Sequence, residues 1–151
     1  MQRFSETPPR YWMCLFPITY AVHIFDEWWA DFPQYLLRTE GVQLSNTKFL
    51  MLQLSGLVLM IIGVVLSRRF GFPNQMLAIL TSIVLGNSFI HLARSYLGAQ
   101  YEPGLLSSVV IWIPLGIYTL FKLWKRMSLS RYLVGTLIGI AICFAVEIIP
   151  L

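Results

Sequence analysis

Residues 47–69 read TKFLMLQLSGLVLMIIGVVLSRR, an apolar run with Lys48 near one end and Arg68 and Arg69 at the other. About 20 predominantly apolar residues are the length of a helix that crosses a bilayer, so residues 47–66 read as a transmembrane span. Ser45 and Asn46 just before it offer a helix cap. The whole chain agrees with this reading. It is 57% hydrophobic and only 12% charged, with a mean hydropathy of +0.69. A soluble protein with so few charges would expose large apolar patches, so the composition indicates an integral membrane protein.

Working outward from that run, four more stretches meet the same criterion: residues 11–29, 74–97, 105–123 and 132–149. The expected fold is all-α, a polytopic membrane helix bundle of about five transmembrane helices, with residues 1–151 as a single transmembrane domain. The basic N-terminal stretch has no small-residue cleavage site before His23, so the first span is expected to be retained. Pro17 and Pro114 lie inside spans and predict kinks. Between the first two spans, DFPQYLLRTEGVQLSN is too short and too polar to cross. Pro33 suits a helix start and Gly41 a stop, which predicts a short interfacial helix.

Charge sets an expected orientation. Arg3 and Arg10, then Arg68 and Arg69, then Lys122, Lys125, Arg126 and Arg131 fall in alternate connections, hence on one side. The positive-inside rule places that side in the cytoplasm, with the C-terminus extracytoplasmic in a multi-pass protein of the cell (inner) membrane. Trp28, Trp29, Tyr96 and Tyr101 would then form the outer aromatic belt, and Tyr11, Trp12, Trp124 and Tyr132 the inner one. The net charge of +4 is dispersed through these turns and indicates topology, with no nucleic acid as partner. Cys14 and Cys143 stand in apolar runs without a C-x-x-C pattern, so neither supports a thiolate metal site.

Against this background His23, Asp26 and Glu27 stand out. On insertion scales a residue such as Asp costs about 2.5 to 3.5 kcal/mol at a bilayer centre, so a cavity, a metal, a partner charge or an interfacial position must compensate. His23 and Glu27 lie about 12 to 16 residues above Tyr11, roughly 18 to 24 Å at 1.5 Å per residue. Asn87 and His91 fall at a similar height on the third span and Glu147 on the fifth, while Gln53, Ser107 and Ser108 fall in the same half of the descending spans.

Spacing also gives them a shared direction. His23 and Glu27 are i, i+4 and Asp26 is i, i+3 from His23, so all three can share a helix face. Asn87, His91 and Arg94 form one polar stripe. Thr136, Gly139, Cys143 and Glu147 make a small-residue face suited to close packing. Plainer readings stand beside these. Asp26, Glu27 and Glu147 can be wet interfacial charges, Arg94 an anchor or a salt-bridge partner to Glu27 or Glu147, and Asn87 a bridge between helices.

Two imidazoles and a carboxylate suffice for a catalytic metal site with an open position. His23, Glu27 and His91 are the expected metal ligands, with zinc or iron as the ion. Asp26 is left as a general base, because a metal lowers the pKa of bound water to about 7. The sequence HIFDE at residues 23–27, the further histidine in NSFIH and the YEPG of residues 101–104 resemble the HXXEE-motif integral membrane proteins. The order of the three signals matches over roughly the first two-thirds of the chain. Asp26 stands where that family has glutamate, which keeps the charge and shortens the reach. The resemblance implies a site at His23, Glu27, His91, Tyr101, Pro103 and Gly104 in a family suspected to be enzymatic. The YEPG stretch suits a tight turn, with Tyr101 over the cavity mouth, its hydroxyl near Glu27 or Arg94, and Glu102 solvated.

Three functions are compatible with this pattern. The first is a membrane enzyme performing metal-assisted hydrolysis on a lipophilic or membrane-delivered substrate such as a peptide or a lipid ester. In it Asp26, Glu27, His91 and Glu147 are the catalytic candidates, and Asn87, Arg94 and Tyr101 contact substrate. The second is a metal-independent acid/base cyclase or isomerase of a terpenoid, polyketide or lipid chain. The third is a proton or metal-ion transporter, against which the inner halves of the spans are almost wholly apolar. The bilayer is the one assured partner, and the sequence specifies no oligomeric state.

Overall fold

The computed structural model describes Pro8 and residues 10–148, with the side chains of Arg10, Glu147 and Ile148 outside the description. Six helices follow one another: α1 Arg10–Trp29, α2 Phe32–Glu40, α3 Asn46–Arg69, α4 Pro73–Gly98, α5 Leu105–Trp124 and α6 Leu129–Ile148. Four of them, α3 to α6, are long and apolar enough to cross a membrane. Five spans were expected; the remaining helix, α1, has 20 residues, but His23, Asp26 and Glu27 dilute its apolar character.

The hub is α4. It packs most extensively on α6, then on α5, and also touches α3 and α1. In the most apolar window of α4, 44% of residues are buried inside the protein, against 17% for α3 and for α6. Those two helices therefore turn most of their apolar surface outward. Small residues explain the close α4–α6 seam. A Cβ at Gly135 would stand 2.9 Å from the Ala78 Cβ, one at Gly139 would run into the Ile79 carbonyl, and one at Gly86 would stand 2.9 Å from Cys143 Sγ. Without a hydrophobic driving force between helices in lipid, such close backbone approach supplies the association through dispersion contacts.

Local chemistry sets the helix ends. Ser45 accepts a hydrogen bond from the Lys48 N–H at 3.2 Å and caps α3, a contact worth ~1 kcal/mol. Pro33 lies in the first turn of α2, and Gly41 ends it at φ 70°, donating its N–H to the Leu36 carbonyl. The short helix expected between the first two spans is thus present, with Tyr35 and Leu36 packed on Leu44 and Phe49. In α5 the hydrogen-bond register widens over Ser108–Trp112, where the Ile113 N–H reaches back to the Ser108 carbonyl. Pro114 follows directly; it lacks an N–H and crowds the carbonyl four residues back, so the chain takes a π turn before it. α1 stays helical through Pro17.

One end of the bundle carries α2 and the α4–α5 connection; the other carries Arg68, Arg69, Lys122, Lys125, Arg126 and Arg131. At the basic end Trp124 and Tyr132 meet edge to face, and Lys122 and Lys125 lie over the rings of Tyr118 and Phe121. Trp12, expected in the inner belt, is instead buried and donates to Thr119 Oγ1 at 3.1 Å. An apolar core of Met13, Phe16, Met60, Leu77, Leu80 and Trp112 fills the space between the basic end and the polar residues of α1.

Candidate functional site

Next to that core, toward the α2 end, α1 and α4 bring their polar faces together. His23 and Glu27, one turn apart on α1, place Nε2 and Oε1 3.4 Å from each other. His91 on α4 presents its Nε2 to the same Glu27 oxygen at 3.5 Å. All three are buried, and one ligand atom from each lies within 4.8 Å of the other two. Two further polar atoms of the cluster, His23 Nδ1 and Glu27 Oε2, are tied back by neighbouring helices.

For His23 the tie is Ser107 at the start of α5. Its Oγ lies 2.8 Å from His23 Nδ1, 2.7 Å from Asp26 Oδ2 and 3.1 Å from the Gly104 carbonyl. The single hydroxyl proton goes to one of the two oxygens, so the His23 ring donates its Nδ1–H to Ser107. Its Nε2 lone pair then faces Glu27. For Glu27 the tie is Gln53 on α3. The Tyr20 hydroxyl donates to Gln53 Oε1 at 2.6 Å, which orients the amide so that its NH2 donates to Glu27 Oε2. Oε1 is left to the imidazoles. The Asn87 amide, one turn before His91, lies 3.3 Å from His23 Nε2. The Trp112 ring packs on His23 with centroids 3.8 Å apart.

Asp26, expected as a free base, is engaged otherwise. Oδ2 accepts from both the Ser107 backbone N–H at 2.9 Å and its hydroxyl. Ser107 lies in the first turn of α5, whose unpaired N–H groups and dipole favour a negative charge there. Asp26 is a cap for α5 supplied by α1. Tyr101 lies beside Asp26; partial burial, then the Asp26 carboxylate, hold its phenol above the ordinary value. Arg94 pairs with Glu40 of α2 at 3.4 Å and with Glu102 at 3.6 Å. The Glu147 side chain lies outside the described residues.

The YEPG turn closes the site. Gly104 sits at φ 89°, and a Cβ there would fall 2.8 Å from the Cε1 atoms of both His23 and His91 and 2.9 Å from Glu27 Cγ. Glu102, expected to be solvated, is fully buried, and its Oε1 lies 3.4 Å from His91 Nδ1. Sequence reasoning missed it because turn residues are ordinarily exposed. The one available signal was its position between Tyr101 and Pro103. Trp112 and Tyr20 were missed because aromatic residues in a span ordinarily read as belt or core.

Fold and cluster together define a multi-pass, all-α membrane protein with a buried His–Glu–His centre that could hold a metal ion. The chain belongs to the HXXEE family, described as proteins of unknown function with an HXXEE motif, whose model matches residues 14–119. That stretch contains every side chain of the cluster and the YEPG turn. No curated protein and no solved structure gives a significant match.

Proposed function

We propose that this protein is a metal-dependent membrane enzyme that hydrolyses a lipophilic or membrane-delivered substrate, with His23, Glu27 and His91 as ligands. One observation carries the reading: the donor atoms are 3.4 and 3.5 Å apart. Hydrogen-bonded partners would stand at about 2.7 to 3.0 Å. Two ligands each 2.0 to 2.1 Å from a tetrahedral zinc are separated by about 3.3 to 3.4 Å. Adjacent ligands of an octahedral iron at similar bond lengths are separated by only about 3.0 Å. The two Glu27–histidine spacings suit ligands that share one small metal ion, zinc or iron, with the donor atoms of both histidines and the glutamate within 4.8 Å of one another. A zinc ion bound there with an open position would polarise an ester or amide carbonyl and lower the pKa of water to about 7.

The chain's own residues then have distinct tasks. Ser107 would keep the His23 lone pair free for an ion, and Gln53 would keep Glu27 Oε1 turned the same way. The Asn87 amide, which contacts His23 Nε2, would be released from it by an ion and left beside the site. A polar cleft of about 310 Å³ lined by Tyr35, Arg38, Gln100, Tyr101 and Pro103 lies on the other side of the YEPG turn, suited to the head of an amphiphile. Trp28, Trp29 and Tyr96 are exposed near it, as belt residues would be. In this reading α1 is a fifth span, the α2 end is extracytoplasmic, and the N-terminus is cytoplasmic.

The test is the metal content of the purified full-length chain. Stoichiometric zinc, lost in both His23→Ala and His91→Ala, is the expected result. A wild-type chain that neither contains nor binds zinc or iron would refute the reading. The stack of Tyr20, Trp112 and His23 favours the metal-free cyclase or isomerase as the second reading, since aromatic faces stabilise cationic intermediates. The apolar core between the site and the basic end speaks against a conduit.

A further inference from the structure

We infer that Glu102 is a positioning residue for His91: its carboxylate holds the imidazole in the Nδ1–H form, with the Nε2 lone pair aimed at the metal position. The inference rests on the metal reading above and adds to it a residue outside the HXXEE motif. The argument begins with the backbone. Pro103 restricts its own φ, Gly104 takes φ 89°, and the Leu105 N–H closes a turn onto the Glu102 carbonyl at 3.1 Å. That turn leaves Tyr101 half exposed and drives the next side chain inward until none of it meets solvent.

An ionised carboxylate without water is expensive, by several kcal/mol, unless charges and hydrogen bonds compensate. Among the described residues neither Glu102 oxygen nor His91 Nδ1 makes a hydrogen bond, and the charged groups closest to Oε1 are His91 Nδ1 at 3.4 Å and Arg94 Nη1 at 3.6 Å. Replacing a whole buried ion pair by apolar residues is commonly neutral or stabilising, whereas removing one partner destabilises by leaving the other uncompensated; here Arg94 would keep Glu40 and its access to solvent when Glu102 is removed. Stability alone therefore gives no reason for a glutamate here. Geometry gives one. His91 has its Nε2 toward Glu27 at 3.5 Å and its Nδ1 toward Glu102 at 3.4 Å, so a carboxylate stands at each edge of the ring, and a small approach by Glu102 would bring Nδ1–H into hydrogen-bond range. A carboxylate on Nδ1 selects the tautomer that frees Nε2, fixes the rotation of the ring and makes the imidazole a stronger donor. Ser107 performs the same task for His23, through a neutral hydroxyl. Arg94, itself paired with Glu40 of α2, anchors the carboxylate from behind.

The test compares the full-length wild type with Glu102→Met and Glu102→Gln in detergent. Zinc affinity is measured by chelator competition, and the histidine tautomers by nitrogen NMR of histidine-labelled protein. We expect Glu102→Met to weaken zinc binding about 10- to 100-fold with no drop in the melting temperature of the zinc-free protein. The His91 resonances should show mixed tautomers while His23 is unchanged. Glu102→Gln, which keeps an acceptor but not the charge, should fall between. Zinc affinity within twofold of wild type in both variants, with His91 still in the Nδ1–H form, overturns the inference. If Glu102→Met does not fold, the Gln variant decides by the same criterion. A wild type that binds no zinc defeats the proposed function, and the His91 tautomer in the metal-free proteins still decides the role of Glu102.

Discussion

Gly104 shows how much of the site depends on a missing side chain. Its φ of 89° is a conformation that non-glycine residues enter only with strain, and the space where a Cβ would stand is bordered by all three proposed ligands. Gly104→Ala combines backbone strain with overpacking, each costing on the order of 1 to 3 kcal/mol. We expect the variant to melt several degrees lower and to bind zinc at least tenfold more weakly, measured by thermal unfolding and chelator competition in detergent. Unchanged affinity would mean that the turn does not roof the metal position. Asp26 teaches the complementary lesson. As a residue type it suggests a base, and its contacts with Ser107 also make it a joint between α1 and α5.

Among the elements, α4 and α6 depend most visibly on close approach. Gly139 meets the Ile79 backbone and Ser82, so any side chain there separates the two helices. Gly139→Val should lower stability by about 1 to 3 kcal/mol or more, read as a lower melting temperature. Zinc stoichiometry should be retained, because α1, α4 and the YEPG turn hold the ligands without help from α6. Loss of the metal together with the fold would show instead that the seam positions His91. The α5 start is the other decisive element. Its first turn receives Asp26 on its N–H groups, supplies Ser107 to His23, and leads into the π turn that precedes Pro114 and carries Trp112.

For the whole molecule, the proposed topology has a direct check. Gln43, in the α2–α3 connection, and Ser130, near the start of α6, are both exposed and lie at opposite ends of the bundle. In a cysteine-free background, Gln43→Cys should react with a membrane-impermeant maleimide on intact cells, and Ser130→Cys only after permeabilisation. The reverse pattern would invert the orientation. By itself the sequence determined the all-α membrane class, four of the five expected apolar spans, the short helix with its Pro33 and Gly41 ends, and the His23–Glu27 pair. These features are local: hydropathy over 20 residues, capping chemistry and i, i+4 spacing each act within a few turns of one helix. Only the tertiary structure decided that His91 meets Glu27, that Ser107 engages Asp26 as well as His23, and that Glu102 turns inward. Those contacts depend on how helices distant in sequence rotate about their axes and where a glycine lets a turn fall inward, and no periodicity along the chain encodes either.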